Sequence, residues 1–97
     1  VLRFATDLEP LFREMAPVDD ASRRKARDFI TRLKPLGGTA IHDSLQAALK
    51  LRPDAGERPF IVIFLTDGLP TVGETNIDRI VTTATGGAQA NTRIFCF

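Results

Sequence analysis

The sequence predicts an α/β fold, a mostly parallel sheet held between two layers of helices. Three observations carry this expectation. The stretch Phe60-Ile61-Val62-Ile63-Phe64-Leu65 is an unbroken run of β-branched, aromatic and aliphatic residues between Pro59 and Asp67-Gly68. A run without polar alternation reads as a strand buried on both faces, as in parallel sheets covered by helices. Segments with helical period alternate with such runs along the chain, which is the pattern of a three-layer α/β sandwich. Finally, the apolar run at 60–65, a helical pattern at 77–84 and a second apolar run at 93–97 form a strand–helix–strand unit. Parallel strands need a crossover of this kind, right-handed by rule.

The elements follow in order. Val1 to Ala5 is a short apolar run broken by Arg3 and ended by Thr6-Asp7, a strand. Residues 8 to 15 are ambiguous. Leu8, Leu11, Phe12 and Met15 have helical spacing, but Pro10 weakens a helix, and an edge strand over about Leu11 to Met15 competes with it. Pro17 to Asp20 connects to a helix from Ala21 to Lys34, with Asp19 or Asp20 able to cap it. Its stripe is Ala26, Phe29, Ile30 and Leu33, and Arg23, Arg24, Lys25, Arg27, Asp28 and Arg32 form a solvated face. Pro35 stops it. Leu36-Gly37-Gly38-Thr39 leads to a second helix with Ile41, Leu45, Ala48 and Leu49 on one face, ended by Arg52-Pro53. Asp54 to Pro59 is a polar loop into the strand at 60. After Gly68 a loop runs to Thr75 or Asn76, either of which can cap a third helix bearing Ile77, Ile80, Val81 and Ala84. Gly86-Gly87 terminates that helix, and Arg93 to Phe97 is a strand.

Bulk properties narrow the function. The 97 residues amount to one domain or part of one, so residues 1–97 are read as a single unit. A composition 43% hydrophobic and 26% charged is that of a globular chain. A net charge of +1 gives no electrostatic footprint for nucleic acid or an anionic membrane. No stretch has the length of a transmembrane helix and no signal peptide opens the chain. The chain begins at Val1 and ends at Phe97, both inside apolar runs, which reads as a piece cut from something longer. Cys96, the one cysteine, excludes an internal disulfide and cysteine-based zinc ligation. In Ile94-Phe95-Cys96-Phe97 it reads as a buried, inert thiol.

Few residues are placed for chemistry. Ligands of open α/β sheets sit outside the carboxyl ends of the strands, where Asp67 falls. Its competing role is to cap the turn made with Gly68. Thr39 follows two glycines that let the backbone approach a ligand. Its competing role is helix N-cap. A joint site requires Thr39 and Asp67 to meet on one sheet edge, which the topology permits. His42 has no second ligand at helical spacing and reads as structural or surface. Ser22 and Ser44 lie on helices, not at a nucleophile elbow. Phosphate-binding glycine signatures are missing.

Two stretches carry a resemblance: Leu36-Gly37-Gly38-Thr39-Ala40-Ile41-His42-Asp43, and Phe64-Leu65-Thr66-Asp67-Gly68-Leu69-Pro70-Thr71-Val72-Gly73-Glu74-Thr75-Asn76. Together they resemble the von Willebrand factor type A domain, in the version found in inter-alpha-trypsin inhibitor heavy chains and their bacterial relatives. Phe4-Ala5-Thr6-Asp7 resembles the end of that family's second strand. The resemblance implies a Rossmann-like three-layer sandwich with a mostly parallel sheet and one antiparallel edge strand, here incomplete. It assigns that edge strand to the region of Leu11 to Met15. It also implies a metal-ion-dependent adhesion site for a divalent cation, usually Mg2+, with Thr39 as the site's threonine and Asp67 as its aspartate.

The family's Asp-x-Ser-x-Ser motif, which follows its first strand, is not in this sequence. The resemblance places that strand between the strands at 1–5 and 60–66. Its loss leaves backbone groups of those two unpaired unless they close on each other. With one carboxylate left, Mg2+ is expected to bind this chain no better than roughly millimolar.

The leading expectation is therefore a non-enzymatic binding module that engages a protein ligand through a metal completed outside this segment, with no nucleic acid and no membrane insertion. Its family suggests an extracellular or cell-envelope setting. A phosphoryl-transfer hydrolase built on Asp67 is the second reading, though a dehalogenase-like site would want an aspartate where Leu69 stands. A structural fragment without ligand is the third.

Overall fold

The computed structural model describes residues 1–35, 37–53, 58–87 and 91–97. Leu36 and residues 54–57 of the expected polar loop lie outside the described residues, as do 88–90. The order is β1 (Leu2–Phe4), β2 (Leu8–Pro10), α1 (Asp20–Thr31), α2 (Ile41–Lys50), β3 (Phe60–Phe64), α3 (Ile77–Gly87) and β4 (Thr92–Cys96). The fold is α/β. Its strands form two separate two-stranded sheets, β1 with β2 and β3 with β4, so the full sandwich is not assembled from the described residues.

The antiparallel edge strand exists, but at Leu8–Pro10 rather than Leu11 to Met15. The reason is the tightness of the preceding reversal. The Ala5 N–H donates to Asp7 O at 3.0 Å, so Phe4 pairs with Leu8 at once, and Arg3 with Glu9 and Leu2 with Pro10 follow. Pro10 has no N–H to give a further neighbour, which suits it to an edge. Arg3 and Glu9 add a cross-strand ion pair at 2.6 Å.

α1 begins as expected. The Ser22 N–H donates to Asp19 Oδ1 at 2.7 Å, and the Asp19 N–H donates back to Ser22 Oγ at 3.0 Å, a reciprocal cap. The helix ends at Thr31, short of Lys34, because a residue preceding proline is driven out of helical geometry and the chain unwinds ahead of Pro35. The Ser22 backbone N–H bound to Asp19 holds its carboxyl below the ordinary aspartate value of 3.8. A folded-state pKa that is depressed adds stability above the unfolded pKa, lost as pH falls through the folded value. Asp19→Ala is therefore expected to lower helical ellipticity at neutral pH, and the difference from the parent chain should shrink below about pH 4. An ellipticity gap that stays constant down to about pH 2 would contradict this role.

β3 and β4 are parallel in the register Phe60↔Thr92 to Phe64↔Cys96, extended by Thr66 N–H to Phe97 O at 3.1 Å. α2 and α3 pack together and cover one face only. Leu45, Phe64, Ile80 and Ala84 form the buried core, with Phe4, Ile41 and Ile94 packed against it. The expectation that β3 is buried on both faces is thus overturned. Val62 and Phe64 are buried, whereas Ile61 and Ile63 are exposed, because no helix among the described residues lies over the second face. Cys96 is likewise exposed rather than buried, since the helical cover reaches Ile94 and stops short of the strand end. Within α3 only Ile80 and Ala84 of the expected stripe are buried; Ile77 and Val81 face solvent. β1 and β3 do not close on each other. The Phe4 and Phe64 rings stack with centroids 4.9 Å apart, so side chains, not backbone, join the two sheets.

Candidate functional site

Three segments converge outside the carboxyl ends of β1 and β3: the turn Ala5-Thr6-Asp7, the Gly37-Gly38-Thr39 approach to α2, and the loop Thr66 to Gly73. The links are mostly backbone groups bound by distant partners. Thr6 Oγ1 donates to Gly37 O at 3.0 Å, and the Ala40 N–H donates to Ala5 O at 2.9 Å. The Thr39 N–H donates to Thr71 Oγ1 at 2.8 Å. Thr39 O accepts from the N–H groups of Thr71 at 3.0 Å and Val72 at 3.4 Å. Gly38 sits at the centre with φ +79°, hemmed by Thr6 and Val72.

Both candidate residues are free of the structural duties that competed for them. α2 is capped at Ala40, with no side-chain cap bond, so Thr39 does not serve as N-cap. Its hydroxyl has no hydrogen-bond partner among the described residues; it faces Gly68, where a Cβ would come within 3.2 Å of Thr39 Oγ1. The turn after β3 is closed by Thr66, whose Oγ1 accepts from the Gly68 N–H at 3.3 Å, not by Asp67. The Asp67 carboxylate is exposed and has no partner among the described residues. The Thr39 and Asp67 segments therefore meet on one sheet edge, as a joint site requires.

Thr6 and Thr71 lie in the stretches that carry the resemblance, but nothing in the sequence pairs them with Gly37 and Thr39, the partners through which they hold this edge together. A second contact between the two stretches is likewise not recorded by spacing: the Asp43 carboxylate packs against Gly73 (φ +70°), where a Cβ would lie 3.4 Å from Asp43 Oδ2. His42 is half-buried between Asp43, at 3.1 Å from Nδ1, and Gln46, at 3.4 Å from Nε2, in keeping with a structural role. Glu74 accepts from the Asn76 N–H at 2.9 Å and from Arg79 Nη1 at 3.3 Å; the Asn76 bond first, then Arg79, draw its carboxyl below the ordinary value. Asn76, one of the two expected caps, accepts from the Arg79 N–H at 3.0 Å and starts α3.

The von Willebrand factor type A domain family matches residues 1–97. The chain belongs to that family. This type A domain is similar to inter-alpha-trypsin inhibitor heavy chain H4 of Homo sapiens, 30% identical over 100 residues and covering 96% of this chain but 11% of the relative. The Bos taurus heavy chain H4 is 32% identical over 102 residues, covering 95% of this chain and 10% of the relative. The Sus scrofa heavy chain H4 is 30% identical over 79 residues, with 74% of this chain and 9% of the relative covered. The chain thus spans about a tenth of the length of the curated relatives it matches. No solved structure matches it.

For a divalent cation, the donors grouped among the described residues are too few. No three His, Cys, Asp or Glu residues among those described are grouped to hold a metal ion. One carboxylate and one hydroxyl do not fit Mg2+ by themselves, since that ion prefers about six oxygens in near-octahedral order. No helix among the described residues is long and apolar enough to cross a membrane.

Proposed function

We propose that this chain is part of a non-enzymatic protein-interaction module, with Thr39 and Asp67 contributing two groups to a metal-ion-dependent adhesion site whose remaining groups lie outside these residues. In the parent protein the two small sheets would be parts of a single, mostly parallel sheet in a three-layer sandwich. The observation that supports the reading is that two oxygen groups without a hydrogen-bond partner among the described residues lie on adjoining segments, with Thr39 Oγ1 facing Gly68, the residue after Asp67. The Thr39 hydroxyl and the Asp67 carboxylate are released from capping, while Thr6 and Thr71 hold their loops together. A side chain kept in a fixed loop without an internal partner is available to a ligand. Membership in a family that includes heavy chains of inter-alpha-trypsin inhibitor supports an extracellular or envelope setting.

Nothing in the geometry favours phosphoryl transfer. Leu69, exposed two residues beyond Asp67, supplies no second carboxylate.

Two measurements test the reading. Calorimetry on the 97-residue chain should show Mg2+ binding no tighter than roughly millimolar; micromolar binding would mean that the donor set is already complete. In the parent protein, Mn2+ binding followed by electron paramagnetic resonance should weaken at least about tenfold on Asp67→Asn and on Thr39→Val, the loss of one inner oxygen or its water-mediated equivalent. Unchanged affinity in both variants would favour a structural segment without ligand.

A further inference from the structure

The charge of the chain is unevenly divided. Residues 20–34 hold six of its thirteen basic residues and two of its twelve acidic ones, a local charge of +4 that leaves −3 on the rest. Most of it lies on α1. At about 100° per residue, Ala26, Phe29, Ile30 and Leu33 form one stripe along this segment. Arg24 lies opposite that stripe, and Arg27 and Arg23 run round from it to the flank. All three arginines are exposed, and no ion pair among the described residues ties them to Asp20 or Asp28, the two carboxylates of the same helix. This exposure is set by the helix itself. In a three-layer sandwich a helix turns its apolar stripe to the sheet and its charged side to water. An element laid over the charged side would have to bury unpaired guanidinium groups, which is strongly unfavourable.

We infer that Arg23, Arg24 and Arg27 form a docking surface for an extended acidic segment of a partner protein, rich in aspartate or glutamate. The inference rests on the reading of the chain as part of a protein-interaction module, though not on its metal. Three features select this occupant. The three arginines enclose no aromatic or aliphatic anchor, whereas the centre of an interface between folded proteins is depleted of charge and built on such anchors. Guanidinium groups bind carboxylates in bidentate fashion, and clusters of arginine are a recurring means of capturing acidic motifs. Spacing fits as well. Arg27 stands one turn from Arg23 and Arg24, about 5–6 Å between Cβ atoms, while alternate residues of an extended peptide are about 6.6–6.8 Å apart. Carboxylates at every second position of such a segment therefore meet successive arginines. A nucleic-acid duplex or a membrane surface extends beyond one helix and would meet the −3 of the remaining chain.

Fluorescence anisotropy of a labelled peptide of alternating glutamate and serine, titrated with the 97-residue chain in EDTA, tests this; labelled heparin is the second probe. Chelation removes divalent cations, so failure here is separate from failure of the metal-site reading. Peptide binding is expected at about 0.01 M salt, where the Debye length is about 30 Å, and should weaken at least about tenfold by about 0.15 M, where it is about 8 Å. Variants are compared at about 0.1 M, so that charges more than about 10 Å from the peptide are screened. There the triple variant Arg23→Gln/Arg24→Gln/Arg27→Gln should lose at least about tenfold in affinity. Its circular dichroism should be retained, because the three side chains are exposed and glutamine matches arginine in helix propensity. Arg13→Gln/Lys50→Gln/Arg58→Gln removes the same charge elsewhere and should stay within about twofold of the unsubstituted chain. No peptide binding at about 0.01 M salt, an equal loss in the two triple variants, or binding of heparin without binding of the peptide, the mark of a sulfated-polysaccharide site, would each overturn the inference.

Discussion

Phe64→Ala is expected to unfold most of the molecule at ambient temperature. Phe64 belongs to the buried cluster that joins β3 to α2 and α3, and it also reaches β1. It lies among Leu45 of α2 and Ile80 and Ala84 of α3, and its ring stacks on Phe4 of β1. Truncating a buried phenylalanine costs about 3–5 kcal/mol, the transfer term plus a cavity that the neighbours fill only in part. A domain of this size holds roughly 5–15 kcal/mol in total, and this one lies low in that range because its central buried cluster among the described residues is four side chains. The effect should also be uneven. The β1–β2 hairpin has no backbone ladder to β3, so losing the ring contact releases it first. Urea denaturation should show a midpoint near or below zero for Phe64→Ala, and Phe4→Ala should raise amide exchange in Leu2 to Pro10 more than in α3. Equal exchange in both regions, or a midpoint shift under about 1 M, would contradict this account of how the halves are joined.

The elements with local signatures are legible in the sequence. α2 and α3 follow from apolar residues at helical spacing, and the Asp19 and Asn76 caps from single side chains that bind backbone within three residues. β3 and β4 follow from composition, but the cover over them does not. An apolar run states that a strand can be buried on both faces; it does not state that a second layer is present. That is why the sequence points to burial of Ile61, Ile63 and Cys96 and the structure exposes them. The edge strand shifts from its expected place because periodicity in Leu8 to Met15 carries no information about a turn closed by the Ala5 N–H and Asp7 O.

The site divides in the same way. Thr39 and Asp67 stand out through glycine-flanked positions at a strand or helix boundary. Thr6 and Thr71 act across 31 and 32 residues, on Gly37 O and on the Thr39 N–H. No local pattern of spacing records such pairs.

The two adjacent glycines give the sharpest contrast, since Gly37 and Gly38 look alike in sequence and differ in what surrounds them. Gly38 has φ +79°, a left-handed conformation that costs an L-residue about 1–2 kcal/mol. A Cβ there would also overlap Thr6 Oγ1 and come within 3.0 Å of Val72 Cγ2 and 3.3 Å of Thr6 Cα. The hydroxyl cannot turn away freely, because it holds Gly37 O. Gly38→Ala is therefore expected to destabilise by about 2–4 kcal/mol, adding backbone strain to overpacking. It should also loosen the site itself: exchange of the Ala40 and Thr71 amides, which bind Ala5 O and Thr39 O, should rise together. At Gly37 a Cβ would meet nothing within 4 Å, and the backbone there has no positive φ. Gly37→Ala should be neutral or stabilise by up to about 1 kcal/mol, through the lower entropy of the unfolded chain. If the two variants denature alike, the loop at Gly38 is free to move, and the Thr39 hydroxyl is not held opposite Gly68 by the packing of this edge.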